Sequence, residues 1–186
     1  SIWERSAPVP GVYMKSTRLS LLRAKAVLFA LVSVLAFSFS ACNVTTEPEV
    51  EHVYKQIDAD DPLVGTWTDG TKYGTYIITN TTFENAGSYK GNNLVVQKLD
   101  STSGYIYIKY TVSMNADYSY SETAPDVGKW YAISYKDLGA EKISISGAYK
   151  EGGATSCETL DEAVTEFTVD NGYFGFYTSH TRQKSE

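Results

Sequence analysis

Side chains able to act as nucleophiles, bases or metal ligands are sparse in this sequence. It contains two cysteines, Cys42 and Cys157, and two histidines, His52 and His180. A cysteine nucleophile needs a nearby base to hold it as the thiolate, and no spacing pairs Cys157 with a histidine. Both histidines fall outside any motif, so we expect them to be exposed to solvent. The sequence therefore predicts no catalytic residues and no enzyme activity, and it leaves Cys157 as a buried thiol, a loop thiol or a thiol that pairs between chains.

Acidic side chains form two groups that could in principle attract cations. The segment 58–61 reads Asp-Ala-Asp-Asp, but it lacks the glycine and the terminal glutamate of a calcium-binding loop. A second group lies in 158–166, where the acidic residues would share one face of a helix. We interpret both groups as solvated surface, and the sequence predicts no metal site.

Cys42 follows an apolar run that has basic residues ahead of it. The run, 26–39, is 14 residues long and contains two serines as its only polar residues. Fourteen residues match the core of a secretory signal peptide, whereas a membrane-spanning helix needs about 20. A plain secretory signal cut near Ala41 and an uncleaved membrane helix are the alternatives. Residues 1–13 precede Met14, and we expect them to be a non-native upstream extension.

The residues 39–41, Phe-Ser-Ala, together with Cys42 resemble the lipobox of bacterial lipoproteins. The resemblance implies that 14–41 are a signal peptide and that Cys42 becomes the N-terminus, carrying a diacylglycerol and an N-acyl chain such as palmitate. No other cofactor is implied. Each buried methylene contributes about 0.8 kcal/mol, so two or three chains would anchor the protein to a membrane. Asn43 is not the aspartate that retains lipoproteins at the inner membrane, which favours the outer membrane of the cell envelope.

The chain from Cys42 onward is strongly acidic. It has eleven basic and 21 acidic side chains, a formal net charge of −10. Nucleic-acid binding is disfavoured, because contacts to phosphate need clustered Lys and Arg, and anionic headgroups would repel the domain. Composition divides this part of the chain into a flexible acidic tether at 42–61, a β-domain at 62–180 and a tail at 181–186. Its oligomeric state is left open.

The β-domain shows short runs of alternating apolar and polar residues, rich in Tyr, Ile, Val and Thr and separated by Gly, Asn and Asp. Strands repeating about every ten residues indicate a meandering barrel or a sandwich. We predict a mainly β fold, a single antiparallel up-and-down barrel of about eight strands. The predicted strands are 64–68, 73–79, 82–85, 94–99, 105–114, 129–136, 142–149 and 173–178.

One segment has the periodicity of a helix. Leu160, Ala163, Val164 and Phe167 fall on one helical face, and the preceding 159–162, Thr-Leu-Asp-Glu, spells a capping box. We predict a short amphipathic helix at about 158–168, ended by the Asn-Gly pair at 171–172 and leading into the last strand. The alternative is a hairpin that turns at the same Asn-Gly pair.

Gly65-Thr-Trp67 on the first strand resembles the Gly-x-Trp signature of lipocalin-like (calycin) barrels. The resemblance implies an up-and-down barrel in which Trp67 packs across the floor. The chain from Cys42 is also similar to small spirochaete-type lipoproteins of uncharacterised function, through 65–70, 128–131 and 171–174. In lipocalins a basic residue from the final strand caps the tryptophan. Here Arg182 falls in the predicted tail, so the sequence offers no counterpart.

Aromatic residues are abundant after Cys42, with 14 Tyr, four Phe and two Trp. Sheets favour aromatic residues for structural reasons, but tyrosine also suits the walls of a binding cavity. We predict a lipid-anchored barrel that binds a small hydrophobic or amphipathic ligand. The alternatives are a surface module that binds host or envelope proteins through a packed barrel, and an envelope-structural role. The candidate ligand or partner contacts are Tyr105, Tyr107, Tyr110, Trp130, Tyr131 and Tyr135.

Overall fold

Eight antiparallel strands close into a barrel in the computed structural model, which describes residues 53–184. The predicted signal peptide, the predicted lipidation site Cys42 and most of the predicted tether lie outside the described residues. Each barrel strand pairs with its neighbours in sequence, and the last strand returns to pair with the first. The predicted fold class, a mainly β up-and-down barrel with a single short helix before the last strand, is confirmed. The elements are β1 (Gly65–Thr68), β2 (Thr75–Ile78), β3 (Phe83–Asn85), β4 (Lys90–Lys98), β5 (Gly104–Met114), β6 (Tyr120–Ser121), β7 (Trp130–Lys136), β8 (Lys142–Gly147), α1 (Leu160–Glu166) and β9 (Thr178–Arg182).

The strand β6 is a two-residue extension that pairs only with the end of β5 and takes no part in closing the barrel. Between β4 and β5 the register shifts twice, at Lys90/Gly91 and between Asn92 and Val95. The predicted strand 94–99 begins later than β4, because it leaves out the Gly-Asn-Asn sequence at 91–93. That sequence is a bulged part of the strand, with Asn93 at a φ of 54°.

The barrel interior is filled by the alternate residues of each strand. Cross-strand pairs such as Gly65 with Ile78 and Val96 with Ile106 place these residues on one face. This face carries the fully buried large side chains, as the period-2 pattern predicted. Inward-facing residues with almost no exposure are Trp67, Ile78, Phe83, Leu94, Ile106, Ile108, Ile133, Ile143 and Ile145.

The outer face of β5 and β7 is buried as well. Tyr105 and Tyr107 point to the opposite face from Ile106 and Ile108, yet all four are buried. The segment that contains α1 covers them: the Tyr105 ring lies 5.4 Å from the Phe174 ring. Burial on both faces explains why this stretch lacks a polar side.

The helix α1 begins at the predicted capping box. Thr159 Oγ1 accepts a hydrogen bond from the Glu162 amide at 3.2 Å, and Glu162 Oε2 accepts one from the Thr159 amide at 3.0 Å. The side chain of Asn171 donates to the carbonyls of Thr165 and Glu166, which satisfies the C-terminal end of the helix. The helix therefore forms as predicted, in place of the alternative hairpin.

The last strand lies further along the chain than predicted. Residues 173–178 were expected to form it, but β9 is Thr178–Arg182 and the aromatic residues ahead of it pack outside the barrel. Tyr173 and Phe174 have the composition of a strand, and their burial comes from covering the sheet rather than joining it. The barrel consequently extends into the region that was assigned to the tail.

Residues ahead of the first strand also belong to the folded unit. Lys55 and Val96 exchange two backbone hydrogen bonds of 3.0 and 2.8 Å, and Ile57 is buried. Asp61, one of the acidic residues interpreted as solvated linker, forms an ion pair of 2.6 Å with Lys98. No helix among residues 53–184 is both long and apolar enough to cross a membrane.

Candidate functional site

The two ends of the barrel differ because the chain direction alternates from strand to strand. β1 begins and β9 ends at one end, which we call the base. β5 and β8 end at the other, which we call the mouth, so the connections 115–129 and 148–159 leave the barrel there. The two ends of the barrel are therefore formed by different parts of the chain.

The base is closed by a tryptophan and an arginine. The Trp67 indole N–H donates to the Leu63 carbonyl at 2.9 Å, and the guanidinium carbon of Arg182 lies 4.0 Å from the centre of the Trp67 ring. Arg182 also donates to the carbonyls of Pro62, Val64 and Ala140 at 2.6, 2.8 and 2.8 Å. A planar five-donor cation is suited to bridging several carbonyls while stacking on an aromatic face.

Gly65 makes room for this arrangement. A Cβ atom at Gly65 would lie 2.4 Å from Nη1 of Arg182, and the φ of 149° disfavours other residues there. The Gly-x-Trp spacing is thus explained by one contact: the glycine admits the guanidinium that covers the tryptophan. Sequence analysis found no basic counterpart for Trp67, but Arg182 on β9 occupies that position, paired with Trp67 across the strands.

The mouth contains a pocket of about 620 Å³ between the barrel and the two connections that leave it. Its barrel side is formed by Tyr89, Tyr110 and Tyr131. The rings of Tyr110 and Tyr131 stack at 4.9 Å and 23°, while the Tyr89 ring stands nearly perpendicular to both, at 86° and 74°. Three further residues with large side chains line the outer part: Met114, Tyr120 and Tyr149.

Polar atoms of the pocket are mostly neutral hydroxyl groups. Burial raises the pKa of Tyr89, Tyr110 and Tyr131 well above the ordinary value for tyrosine, so all three stay protonated. The Tyr131 hydroxyl donates to the Ala148 carbonyl at 3.1 Å. Ser113 also lines the pocket, is 2% exposed, and its hydroxyl has no hydrogen-bond partner within residues 53–184. A buried hydroxyl without a partner is available to a ligand or a water molecule.

The predicted contact residues are distributed over different parts of the barrel. Tyr110 and Tyr131 line the mouth pocket. Tyr105 and Tyr107 lie on the covered outer face, where the Tyr107 hydroxyl donates to Gln97 at 3.2 Å. Sequence analysis did not single out Tyr89, Ser113, Tyr120 or Tyr149, because they lie in turns or at strand ends where alternation gives no signal. Trp130 is half-buried and lies beside Cys157. Tyr135 is buried near the base, beside Gly104.

His180 was expected to be exposed, and that prediction is wrong. It faces the interior from β9, is 1% exposed and contacts the Tyr76 ring edge-to-face at 4.9 Å. Neither ring nitrogen has a hydrogen-bond partner among the described residues. Burial lowers the pKa of His180 below the ordinary value of 6.5, although the backbone of Thr178 and the charge of Asp69 act in the opposite direction.

We expect the stability of the barrel to fall as the pH is lowered from 7 to 5. The unfolded chain binds a proton at His180 near pH 6.5, whereas the folded chain resists it, so the stabilising difference is complete above that pH and lost below it. For this one proton the slope is at most about 1.4 kcal/mol per pH unit. Urea unfolding at several pH values measures it, and His180→Leu should flatten the dependence. An equal slope in that variant would contradict this role of His180.

Cys157 lies in an acidic groove beside α1, lined also by Glu158, Glu162 and Glu166. Burial and these carboxylates raise the pKa of its thiol to about 11, which disfavours the nucleophilic thiolate. Among residues 53–184, no group of three or more His, Cys, Asp or Glu side chains is arranged to hold a metal ion. The mouth pocket is therefore the best candidate for a functional site.

The barrel is compatible with a lipocalin-like fold, with its base closed by Trp67 and Arg182 and a tyrosine-lined pocket at its mouth. No family model, curated protein or solved structure matches this chain.

Proposed function

We propose that this protein is a lipid-anchored lipoprotein of the bacterial cell envelope whose barrel binds a small amphipathic ligand at its mouth. The observation that carries the proposal is the pocket of about 620 Å³ walled by Tyr89, Tyr110 and Tyr131. Its volume falls within the range of small-molecule sites, and it combines apolar walls with a few polar groups, as such sites do. Binding rather than catalysis fits the protonated state of Cys157 and the neutral tyrosines.

Most of the barrel interior is too full to hold the ligand. The base and middle are occupied by large side chains such as Trp67, Phe83 and Ile133, none of which is exposed. The pocket lies towards the mouth and is lined by both the strands and the connections, so the ligand would sit partly between them. This placement favours a short molecule over a long acyl chain.

Native mass spectrometry of the protein, purified gently from its own host, tests the proposal. We expect a small molecule that departs on denaturation. Ala116→Trp should fill the pocket and Tyr120→Ala should remove part of its wall, since both residues line it and are exposed enough to be changed without unfolding. Tyr118→Ala is the matched control, because Tyr118 is 79% exposed and lies outside the pocket. A clean unliganded mass, or equal ligand content in all variants, would contradict the proposal.

A second candidate, a surface module that binds host or envelope proteins, is favoured by exposed aromatic residues near the mouth. Tyr149 and Phe176 are 61% and 70% exposed, and their rings lie 6.0 Å apart. Exposed aromatic pairs are typical anchors of protein interfaces. Retention of envelope or host proteins by the wild type, but not by a Phe176→Ser variant, would favour this candidate.

The membrane anchor is tested by Cys42→Ser. We expect this change to release the protein from the membrane fraction into the soluble fraction, because the sulfur is the predicted site of acylation. Ultracentrifugation of cell envelopes followed by immunoblotting measures it, and Cys157→Ser is the matched control. Retention of the Cys42→Ser protein on membranes would favour the uncleaved membrane helix instead.

A further inference from the structure

We infer that the mouth pocket selects a protonated amine with an aromatic or apolar body, in preference to a carboxylate or a neutral alcohol. This inference rests on the proposed function, because it assigns a ligand class to the same pocket. Three features of the lining carry it: the tyrosine rings, the balance of charged side chains and the unpartnered Ser113 hydroxyl.

The tyrosine rings offer surfaces that suit an aromatic body and attract positive charge. Tyr89 stands perpendicular to the stacked pair Tyr110 and Tyr131, so ring faces and edges lie on adjoining walls. Aromatic ligands pack well in offset or edge-to-face contact with such rings. Ring faces carry partial negative charge, so they favour an ammonium group over a carboxylate.

Charged side chains in the lining reinforce this preference. They comprise Asp126, Glu151 and Lys150. The Asp126 carboxylate accepts from Ser156 at 2.8 Å and lies 4.0 Å from the Lys129 ammonium, at the outer limit of an ion pair. The charge of Asp126 also acts on the buried wall of the pocket. The pKa of Tyr110 is raised mainly by burial, then by two neighbouring tyrosines, and to a smaller extent by Asp126.

Two basic side chains near the pocket, Lys150 and Lys129, have contacts with groups outside it. The Lys150 ammonium lies 5.5 Å from the centre of the Tyr173 ring. Lys129 lies 3.1 Å from Glu158, closer than its distance to Asp126. Arg182 is at the base of the barrel, bound to three carbonyls. With two carboxylates and one ammonium in the lining, an anionic ligand would meet a net like charge, whereas an ammonium would meet a net opposite charge.

Ser113 supplies a hydrogen-bond acceptor for the ammonium group of the ligand. Its hydroxyl oxygen can accept a hydrogen bond from an ammonium N–H, and it has no other partner in the part of the chain that the structure describes. A primary or secondary amine can donate to this hydroxyl, which a quaternary ammonium cannot do. This favours amines over fully alkylated cations.

Three probes that share one aromatic body test the inference: 2-phenylethylamine, 2-phenylethanol and phenylacetate. Each is titrated into the full-length isotope-labelled protein, and the backbone amides of Tyr110, Ser113 and Ala148 report binding by NMR. We expect the amine to bind at least tenfold more tightly than phenylacetate and about threefold more tightly than the alcohol. Raising the salt concentration should weaken the binding of 2-phenylethylamine but leave the affinity for 2-phenylethanol unchanged.

Charge variants separate the electrostatic preference for an amine from non-specific hydrophobic binding. Asp126→Asn should weaken the binding of 2-phenylethylamine about fivefold and leave the affinity for 2-phenylethanol unchanged. Glu122→Gln is the matched control, because Glu122 is an exposed carboxylate of the same connection that does not line the pocket. Unchanged amine affinity in Asp126→Asn would overturn the inference.

The outcomes distinguish this inference from the proposed function. Tighter binding of the alcohol or of phenylacetate at the same amides would overturn the amine preference while supporting a binding pocket. If none of the three probes shifts the NMR signals of these amides, the inferred preference for an amine is wrong. Whether the pocket binds any ligand is then decided by the native mass spectrum.

Discussion

Trp67→Ala should lower the free energy of unfolding by about 3–5 kcal/mol, the cost of removing a large aromatic side chain from a packed core. Trp67 is not exposed at all, and its indole N–H bonds the Leu63 carbonyl at the base. The substitution would leave a cavity under the Arg182 guanidinium and release the segment that enters β1. Urea-induced unfolding followed by circular dichroism measures the change.

The control for this prediction is Trp130→Ala. Trp130 is only half-buried and faces outward from β7, so its loss should cost markedly less. Equal costs at the two positions, or an unchanged midpoint in Trp67→Ala, would remove Trp67 from its role in closing the base.

Arg182→Lys should cost about 2–4 kcal/mol, despite keeping the charge. The guanidinium donates to the carbonyls of Pro62, Val64 and Ala140 and covers the Trp67 ring. A lysine ammonium lacks the planar fork, so it leaves part of this set without donors. Thermal and urea unfolding both report the change.

Lys184→Ala is the matched control, since Lys184 is an exposed basic residue two positions beyond Arg182. We expect it to leave stability unchanged. A double-mutant cycle with Trp67→Leu and Arg182→Lys should give a coupling of about 0.5–2 kcal/mol. Additive effects would mean that arginine and tryptophan stabilise the base independently.

The amino-acid sequence by itself determined the local elements. Alternation in 105–110 and 142–146 puts Ile106, Ile108, Ile143 and Ile145 on one face of each strand, and that face lies inside the barrel. The Thr159 capping box and the helical face after it predicted α1, because a cap and one apolar face depend only on residues a few positions apart. Strand number and meander followed from the spacing of the turns.

The tertiary structure alone decided which distant residues meet. Arg182 reaches the Val64 carbonyl across 118 positions, and no local pattern marks the strand that carries it. His180 lies beyond the last predicted strand and was expected to be exposed, but barrel closure places it inside against Tyr76. Tyr105 and Tyr107 alternate with the inward-facing isoleucines of β5 and so lie on its outer face, yet both are buried, Tyr105 against Phe174 of the segment after α1.

The lining of the mouth pocket depends on both the sequence and the tertiary structure. The sequence indicated that tyrosines would line any cavity, because they are the most abundant large side chains of the domain. Which of them do so depends on the two connections that leave the same end of the barrel, 115–129 and 148–159. Alternation describes a strand and its two faces, whereas a pocket forms where loops from different strands approach one another, and that approach depends on how the whole barrel closes.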